Sequence, residues 1–213
     1  MEIEIWSDIM CPFCFIGKRH LEAALKQFDH ADEVNIVWHS FQLDPELPKP
    51  ASSLNVYEYL AERKGMTVEQ SKAMHERVLK MAEAAGLHYH FDRAVVANSF
   101  DAHRLIQLAK TKDKGDEIEE RLFKAYFMEG KDLCDNDTLV SLGKEIGLEE
   151  SELMDLVNSD AFTDEVKRDI WDARQIGVQG VPFFVFDRRY AISGAQPVEA
   201  FVQTLERVYE ESR

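Results

Sequence analysis

The sequence predicts an α/β fold in which a central mixed sheet is assembled from both ends of the chain. The N-terminal pattern is strand, helix, strand (β-α-β), and the C-terminal pattern is strand, strand, helix (β-β-α). Between them lie roughly a hundred residues with helical apolar spacing and no repeat period. We therefore expect residues 1–50 and 177–213 to form the two halves of one sheet domain. Residues 51–176 are expected to form a large inserted all-helical subdomain whose last helix leads back to the sheet.

The N-terminal half begins with alternating residues. Ile3 and Ile5 alternate with glutamates and are followed by Trp6, which is typical of a strand. Residues 34–41 are β-branched and aromatic and predict a second strand. Between these strands one apolar helix face is formed by Leu21, Ala24, Leu25 and Phe28. A β-α-β unit favours parallel pairing of its two strands.

The first turns of this helix carry small and basic residues. Gly17 is expected at a close contact, where a side chain would crowd a neighbour. The basic run that follows is expected to form a solvated face: Lys18, Arg19 and His20.

The inserted segment begins where prolines interrupt the sheet pattern. Pro45, Pro48 and Pro50 are incompatible with a continuing strand or helix. Helices are then predicted over 56–64, from a capping box at Thr67 and Gln70 to Gly86, from Asn98 or Ser99, and over 117–127, 135–145, 150–158 and 161–176.

The C-terminal half returns to strands. Residues 181–186 are a strong strand signal, residues 187–189 a turn, and residues 190–193 a returning strand, which together predict a hairpin. Pro197 then opens a last helix that runs through Tyr209.

A Cys-x-x-Cys motif stands between the first strand and the first helix. Cys11 is expected at the helix entrance, where unpaired backbone N–H groups and the helix dipole favour the thiolate that attacks disulfides. Pro12 suits the first helical position, because its missing N–H would have no partner there. Cys14 lies one turn further on, where it can resolve a mixed disulfide.

Two other interpretations of the motif are weaker. A zinc site needs two more ligands at suitable spacing, and Cys134 with the His88–His90 pair does not supply them, so we predict no metal. A permanent structural disulfide would gain little chain entropy from so short a loop.

Pro182 is the candidate second half of the site. A proline is tolerated at the first residue of a strand. The order β-α-β, helical segment, β-β-α resembles the thioredoxin plan, in which the bond before such a proline is cis. That resemblance implies a cis Val181–Pro182 bond, with the Val181 backbone facing the Cys11 sulfur and able to pair with an extended substrate, and the alternative is a trans proline without a role.

Three separated segments resemble one known family. Residues 11–19, 98–104 and 177–186 with 193–197 are similar to DsbA-like thioredoxin-fold proteins of the FrnE type, and the resemblance covers nearly the whole chain. It implies a thioredoxin fold split by a helical insertion, and a protein disulfide oxidoreductase or isomerase.

The resemblance also implies roles for individual residues. It makes Cys11 the nucleophile, Cys14 the resolving thiol and Pro182 the cis-proline. Val181, Pro12, Phe13, Asn98 and Phe100 are the candidate substrate-binding residues. DsbA itself has a histidine where this chain has Phe13, so we expect a less oxidising couple here.

Two other functions compete with disulfide exchange. The same superfamily includes glutathione-dependent kappa-class transferases and hydroxychromene-carboxylate isomerases, which lack an intact cysteine pair. A non-catalytic peptide-binding module is the third candidate. The intact pair favours redox chemistry, with a protein or a low-molecular-weight disulfide or dithiol as substrate. No cofactor is expected, although glutathione remains open as a co-substrate.

Bulk composition limits the partners and the compartment. The net charge of -15 argues against binding nucleic acid or anionic membrane surfaces. The N-terminus reads as a strand and not as an export signal, and three cysteines in 213 residues do not form a disulfide scaffold. A cytoplasmic location is therefore expected, while the oligomeric state is not predicted.

Overall fold

A mixed sheet is built from both ends of the chain in the computed structural model, which describes residues 1–49 and 52–212. Its strands are β1 (Glu2–Ser7), β2 (Asn35–Ser40), β3 (Phe183–Phe186) and β4 (Tyr190–Ser193), in the spatial order β2-β1-β3-β4. β1 pairs with β2 in parallel, whereas the β1–β3 and β3–β4 pairs are antiparallel. The predicted α/β fold with a mixed sheet is confirmed.

The helices follow the predicted order along the described chain. They are α1 (Pro12–Leu25), α2 (Val56–Lys64), α3 (Val68–Ala84), α4 (Phe100–Lys110), α5 (Gly115–Lys124), α6 (Asn136–Glu145), α7 (Glu150–Val157), α8 (Thr163–Gln175) and α9 (Val198–Glu211). A 3₁₀ turn covers Ala31–Glu33, and a π-helical turn, Ala125–Glu129, follows α5. Within the described residues, every helix is too short or too polar to cross a membrane.

A hydrophobic core lies between one face of the sheet and the helices α1 and α9. Ile3 and Ile5 of β1 are completely buried there. They pack with Leu21 and Ala24 of α1, with Phe184 of β3, and with the apolar face of α9, namely Phe201, Leu205 and Val208. The alternation along β1 and the helical periodicity of α1 therefore meet in one core.

The chain divides into two compact units, and the division falls inside α8. One unit runs from Met1 to Leu43 and from Lys167 onward, and the other is Asp44–Val166. The limits of the insertion predicted from the sequence are 51 and 176. The second half of α8 belongs with the sheet, because Asp169 accepts hydrogen bonds from the Ser40 amide at 2.8 Å and, through its main-chain carbonyl, from the Trp6 indole at 3.1 Å.

The helical unit is stabilised by end caps that the sequence encodes. Thr67 and Gln70 form the predicted capping box at the start of α3. At the start of α4 the Asn98 side chain accepts the Phe100 amide, whereas Ser99 makes no side-chain cap. Arg104 is buried and donates hydrogen bonds to three backbone carbonyls. One is that of Leu156 near the end of α7, and the other two are those of Ser159 and Ala161, which follow this helix.

Two predicted elements have different limits in the structure. The strand predicted over 181–186 begins only at Phe183, since Pro182 has no N–H to donate to the ladder. The helix predicted over 117–127 leaves α-helical geometry after Lys124 and continues as the π-helical turn. The Phe127 carbonyl there accepts the His90 amide from outside the helix.

The basic run in α1 is not the solvated face that the sequence predicts. Lys18 is only 3% exposed, and its ammonium group binds Glu22 at 2.5 Å. Arg19 lies over the Phe15 ring at 4.6 Å, and His20 contacts the Gln196 carbonyl oxygen at 2.7 Å. The expectation of solvated side chains was wrong because long basic side chains can bury their apolar stems while a partner satisfies the charge.

Candidate active site

The loop between β1 and α1 is folded around Asp8. The Asp8 carboxylate accepts hydrogen bonds from the backbone N–H groups of Met10 at 3.3 Å and Leu43 at 2.7 Å. The Asp8 main-chain carbonyl accepts the Cys11 N–H at 2.9 Å. Short polar side chains such as aspartate favour turns of this kind. This buried residue thus fixes the position at which Cys11 enters the helix.

Cys11 occupies the N-cap position of α1. Its backbone is extended (φ -89, ψ 110), Pro12 takes the first helical position as predicted, and the first turn of α1 contains no acidic residue. The thiol is 3% exposed and donates to the Val181 carbonyl oxygen at 3.4 Å. The positive end of the helix dipole is therefore directed at a sulfur with no opposing carboxylate in that turn.

Cys14 lies in the first turn of α1 and is more deeply covered. Its exposed fraction is 1%, and its amide donates to the Cys11 carbonyl at 3.0 Å. Burial raises the pKa of Cys14 well above that of an ordinary thiol, and the hydrogen bond to Cys11 and the charge of Cys11 raise it further. The Asp8 backbone and the Ser7 hydroxyl act in the opposite direction and lower this pKa in part. Cys14 therefore keeps its proton at neutral pH.

The turn before β3 brings Val181 and Pro182 against α1. The Val181–Pro182 peptide bond is cis, and the Pro182 carbonyl accepts the Gly194 amide at 2.8 Å. A Cβ atom on Gly17 would approach Pro182 Cγ and Phe184 Cζ at 3.0 Å each. Gly17 thus permits the close approach of α1 to this turn, which agrees with the packing role predicted for it.

The motif residues between the cysteines differ in exposure. Pro12 is half-buried, whereas Phe13 exposes 36% of its surface. Phe13 is therefore an apolar group that solvent or a substrate can reach beside the dithiol.

Asn98 and Phe100 lie in the helical unit. The Asn98 side chain is buried and donates to the Leu47 carbonyl at 2.7 Å, while its oxygen accepts the Phe100 amide at 3.0 Å. The backbone N–H of Asn98 also donates a hydrogen bond to Cys134 Sγ at 3.2 Å. These bonds give Asn98 a structural task in its own unit, and substrate binding by Asn98 and Phe100 stays a prediction.

A buried polar cluster on the other face of the sheet was not foreseen from the sequence. His39 lies between two carboxylates, with Nδ1 at 2.8 Å from Asp169 and Nε2 at 3.3 Å from Glu4. The His39 ring stacks on Trp6 with centroids 4.5 Å apart. The sequence gives no signal that these residues lie together, because His39 and Asp169 are 130 positions apart.

Asp8 and Ser7 are further residues near the cysteines and are not among the site residues predicted from the sequence. The signal for Asp8 was present, since aspartate two positions before a turn amide is typical of such turns. The signal for Ser7 was strand alternation, which places it on the same face of β1 as Ile3 and Ile5.

The arrangement supports thiol chemistry. Cys11, Cys14 and Cys134 are free thiols in this structure. Among the described residues, no group of three or more histidine, cysteine or acidic side chains is placed to hold a metal ion. A thiol at a helix N-terminus, with a second thiol in the first turn of the same helix, is an arrangement in which a mixed disulfide can form and be resolved.

Comparison with known proteins gives relatives over the full length of the chain. The structure resembles the crystal structure of a probable DsbA oxidoreductase from Streptomyces coelicolor, with a TM-score of 0.94 and 38% identity, covering 99% of this chain and 91% of that one. The YwbO protein of Bacillus subtilis (strain 168) is 26% identical over 207 residues, which is 96% of each chain.

A more distant solved structure shares the fold alone. The cytosolic disulfide reductase DsbM of Pseudomonas aeruginosa superposes with a TM-score of 0.68 at 17% identity, covering 98% of this chain and all of that one. The family model described as the DSBA-like thioredoxin domain matches residues 2–206. With the split sheet and the cysteine pair already in place, the chain belongs to the DsbA-like thioredoxin domain family.

Proposed function

We propose that the protein is a thiol–disulfide oxidoreductase that uses Cys11 as the nucleophile and Cys14 as the resolving thiol. One observation carries this proposal. Cys11 caps α1 with its sulfur 3.4 Å from the Val181 carbonyl, while Cys14 lies buried within the first turn. Two thiols of one type are thus held in different environments, and a mechanism with one attacking and one waiting thiol needs that difference.

The reaction proceeds in two exchanges. The Cys11 thiolate attacks one sulfur of a substrate disulfide, and the other substrate sulfur leaves as a thiolate that takes up a proton. Cys14 then attacks the Cys11 sulfur of the mixed disulfide. The Cys11–Cys14 bond forms, the second substrate thiol leaves, and the enzyme is oxidised by two electrons while the substrate is reduced. The reverse sequence oxidises a substrate dithiol.

Substrate recognition is assigned to the surface around Cys11. The proposed contacts are the Val181 backbone and the side chains of Pro12 and Phe13, with Pro182 shaping the turn. The half-buried Val181 and the exposed Phe13 support this assignment, since an extended substrate segment can pair with backbone groups and rest on an apolar side chain. The proposed substrates are proteins or small thiols, with glutathione as a co-substrate.

The family subtype and the location are further proposals. The three FrnE-like segments of the sequence support the FrnE type. The composition, with only three cysteines in 213 residues, supports action in the cytoplasm, where catalytic disulfides are transient. DsbM of Pseudomonas aeruginosa, which shares the fold, is a cytosolic disulfide reductase, and this agrees with the proposed location.

A trapping experiment tests the proposed roles. The Cys14→Ala variant keeps the attacking thiol and loses the resolving one, so it should accumulate mixed disulfides through Cys11 in a lysate. Mass spectrometry of the trapped adducts, released by reductant, would identify the substrate. The matched control is the double variant Cys11→Ser, Cys14→Ala, which should trap nothing through the motif although Cys134 is still present.

Two outcomes would contradict the proposal. One is an equal yield of adducts from the double variant, because the trapping thiol would then be Cys134. The other is efficient glutathione conjugation to a model electrophile by the wild type, with no disulfide exchange, which would favour a transferase.

A further inference from the structure

Ser7 is a buried polar residue to which the two-thiol mechanism gives no task. Its exposed fraction is 0%, and its hydroxyl has no hydrogen-bond partner of good geometry among the residues that the structure describes. A buried hydroxyl without a partner is unfavourable, so its presence needs a reason. The hydroxyl is nevertheless close enough to the Cys14 sulfur to lower the pKa of that thiol.

The direction of the Ser7 side chain follows from the strand. Ile3 and Ile5 on the same strand pack against α1, and alternation puts Ser7 on that face at the end of β1. The Ser7 main chain is fixed to β2 at the end of the sheet, since it pairs with Ser40 and its carbonyl accepts the Phe41 amide at 2.9 Å. The hydroxyl is therefore held beneath the first turn of α1.

Cys14 has a chemical problem that such a group can solve. Its burial makes the thiolate unfavourable, yet it must act as a thiolate when it resolves the mixed disulfide. The groups that act on this sulfur are Cys11, which opposes a second negative charge, and the Asp8 N–H and Ser7 hydroxyl, which favour it.

We propose that Ser7 is a positioning residue for the resolving step: its hydroxyl donates a hydrogen bond to the Cys14 sulfur as that sulfur becomes anionic. This inference rests on the proposed function, and it assigns to Ser7 a part in that mechanism. In the step, Cys14 loses its proton and attacks the Cys11 sulfur. The Cys11–Cys14 bond forms, the bond between Cys11 and the substrate sulfur breaks, and the proton ends on the departing substrate thiol. Ser7 keeps its own proton throughout and acts only through the hydrogen bond.

The two exchanges can be followed separately with an aromatic disulfide. In a Cys134→Ser background, reduced protein is mixed with 5,5′-dithiobis(2-nitrobenzoate). Attack by Cys11 releases one coloured thiolate at a rate proportional to reagent concentration. Resolution by Cys14 releases the second coloured thiolate at a rate that does not depend on the reagent concentration. Ser7→Ala should leave the first rate within about twofold and slow the second by about tenfold, as expected for a lost hydrogen bond to a charge. The pH midpoint of the second phase should rise by about one unit.

Controls separate the hydroxyl from the cost of altering a buried serine. Ser71 in α3 is equally buried, and its hydroxyl likewise has no well-formed partner among the described residues. Ser71→Ala should leave both phases unchanged. If Ser7→Ala does not fold, Ser7→Thr and Ser7→Val provide the comparison, because they have the same shape and only threonine keeps the hydroxyl. The Ser7→Thr variant should resolve the mixed disulfide about tenfold faster than the Ser7→Val variant.

The inference is overturned if Ser7→Ala resolves with the wild-type rate and pH midpoint, or if its resolution slows with no shift of the midpoint, which indicates a structural effect only. Equal rates for threonine and valine would overturn it as well. A wild type without a second phase contradicts the resolving role of Cys14 and this inference together. If the wild type shows both phases and the Ser7→Ala variant resolves as the wild type does, only the role of Ser7 is contradicted and the proposed function stands.

Discussion

At the residue scale, the site depends on how differently the fold treats two cysteines in one helical turn. Cys11 stands at the N-cap, while Cys14 lies buried in the first turn of α1. Burial and the neighbouring sulfur hold the Cys14 proton. Because a thiolate is the attacking form of cysteine, the proposed order of attack, Cys11 before Cys14, depends on this difference.

Phe13 gives a prediction at the same scale. Its side chain offers no hydrogen-bond donor to the Cys11 sulfur, whereas a histidine at this position does. Phe13→His should therefore stabilise the reduced form and make the couple more oxidising by about 30 mV, which corresponds to about 1.4 kcal/mol. Equilibration with glutathione buffers measures the potential.

The matched control for this change is Phe13→Leu, which keeps an apolar side chain without a donor. Its potential should stay near that of the wild type. A leucine variant that shifts as far as the histidine variant would show that the loss of the aromatic ring, and not the added donor, sets the potential.

At the scale of elements, α8 is fastened to the edge strand β2 by one buried carboxylate. Asp169 accepts the Ser40 amide at 2.8 Å and contacts His39 at 2.8 Å. These bonds satisfy a backbone donor that would otherwise have no ladder partner on this side of the sheet.

Removing this carboxylate should weaken the attachment. Asp169→Ala leaves the buried Ser40 N–H unpaired, so the free energy of unfolding should fall by about 1–3 kcal/mol in urea titrations. Lys167→Ala, at an exposed position of the same helix, should change it by less than about 0.5 kcal/mol. Equal stability of the two variants would mean that water replaces the carboxylate without cost.

The elements also show where sequence reasoning succeeds and where it ends. The strand β1, the helix α2 and the capping box at Thr67 were predicted because their signals are local: alternation, a glycine stop and paired caps. The burial of Lys18 and the π-helical turn were missed, because no local pattern in the sequence indicates either of them.

The candidate site divides in the same way. The spacing of Cys11 and Cys14 and the strand-start Pro182 were visible in the sequence. The hydrogen bonds of Asp8 and the closeness of Ser7 to Cys14 depend on the path of the loop and the registration of α1 over β1. No periodicity in the chain encodes these distances, so only the three-dimensional structure supplies them.

At the scale of the whole molecule, the raised pKa of Cys14 links stability to pH. Between the ordinary thiol pKa and the raised one, the unfolded chain has lost this proton and the folded chain retains it. The contribution to stability is therefore full below the ordinary thiol pKa and declines as pH rises, by about 1.4 kcal/mol per unit.

Reduced wild type should accordingly lose stability relative to Cys14→Ala when the pH is raised from about 7 to about 10. Urea unfolding at the two values measures the difference. The oxidised protein has no Cys14 thiol to titrate and serves as the control. A constant difference between the reduced proteins across this range would contradict the assignment of a raised pKa.

The separation of the two sides of the site along the chain has a consequence during synthesis. Cys11 and the Val181 carbonyl that it faces are 170 positions apart. A ribosome that adds about 5–20 residues per second incorporates Val181 on the order of ten seconds after Cys11. Throughout that interval the nascent dithiol lacks the turn that opposes it in the folded protein. The reductants and oxidants of the cell therefore act on the two cysteines before the site is complete.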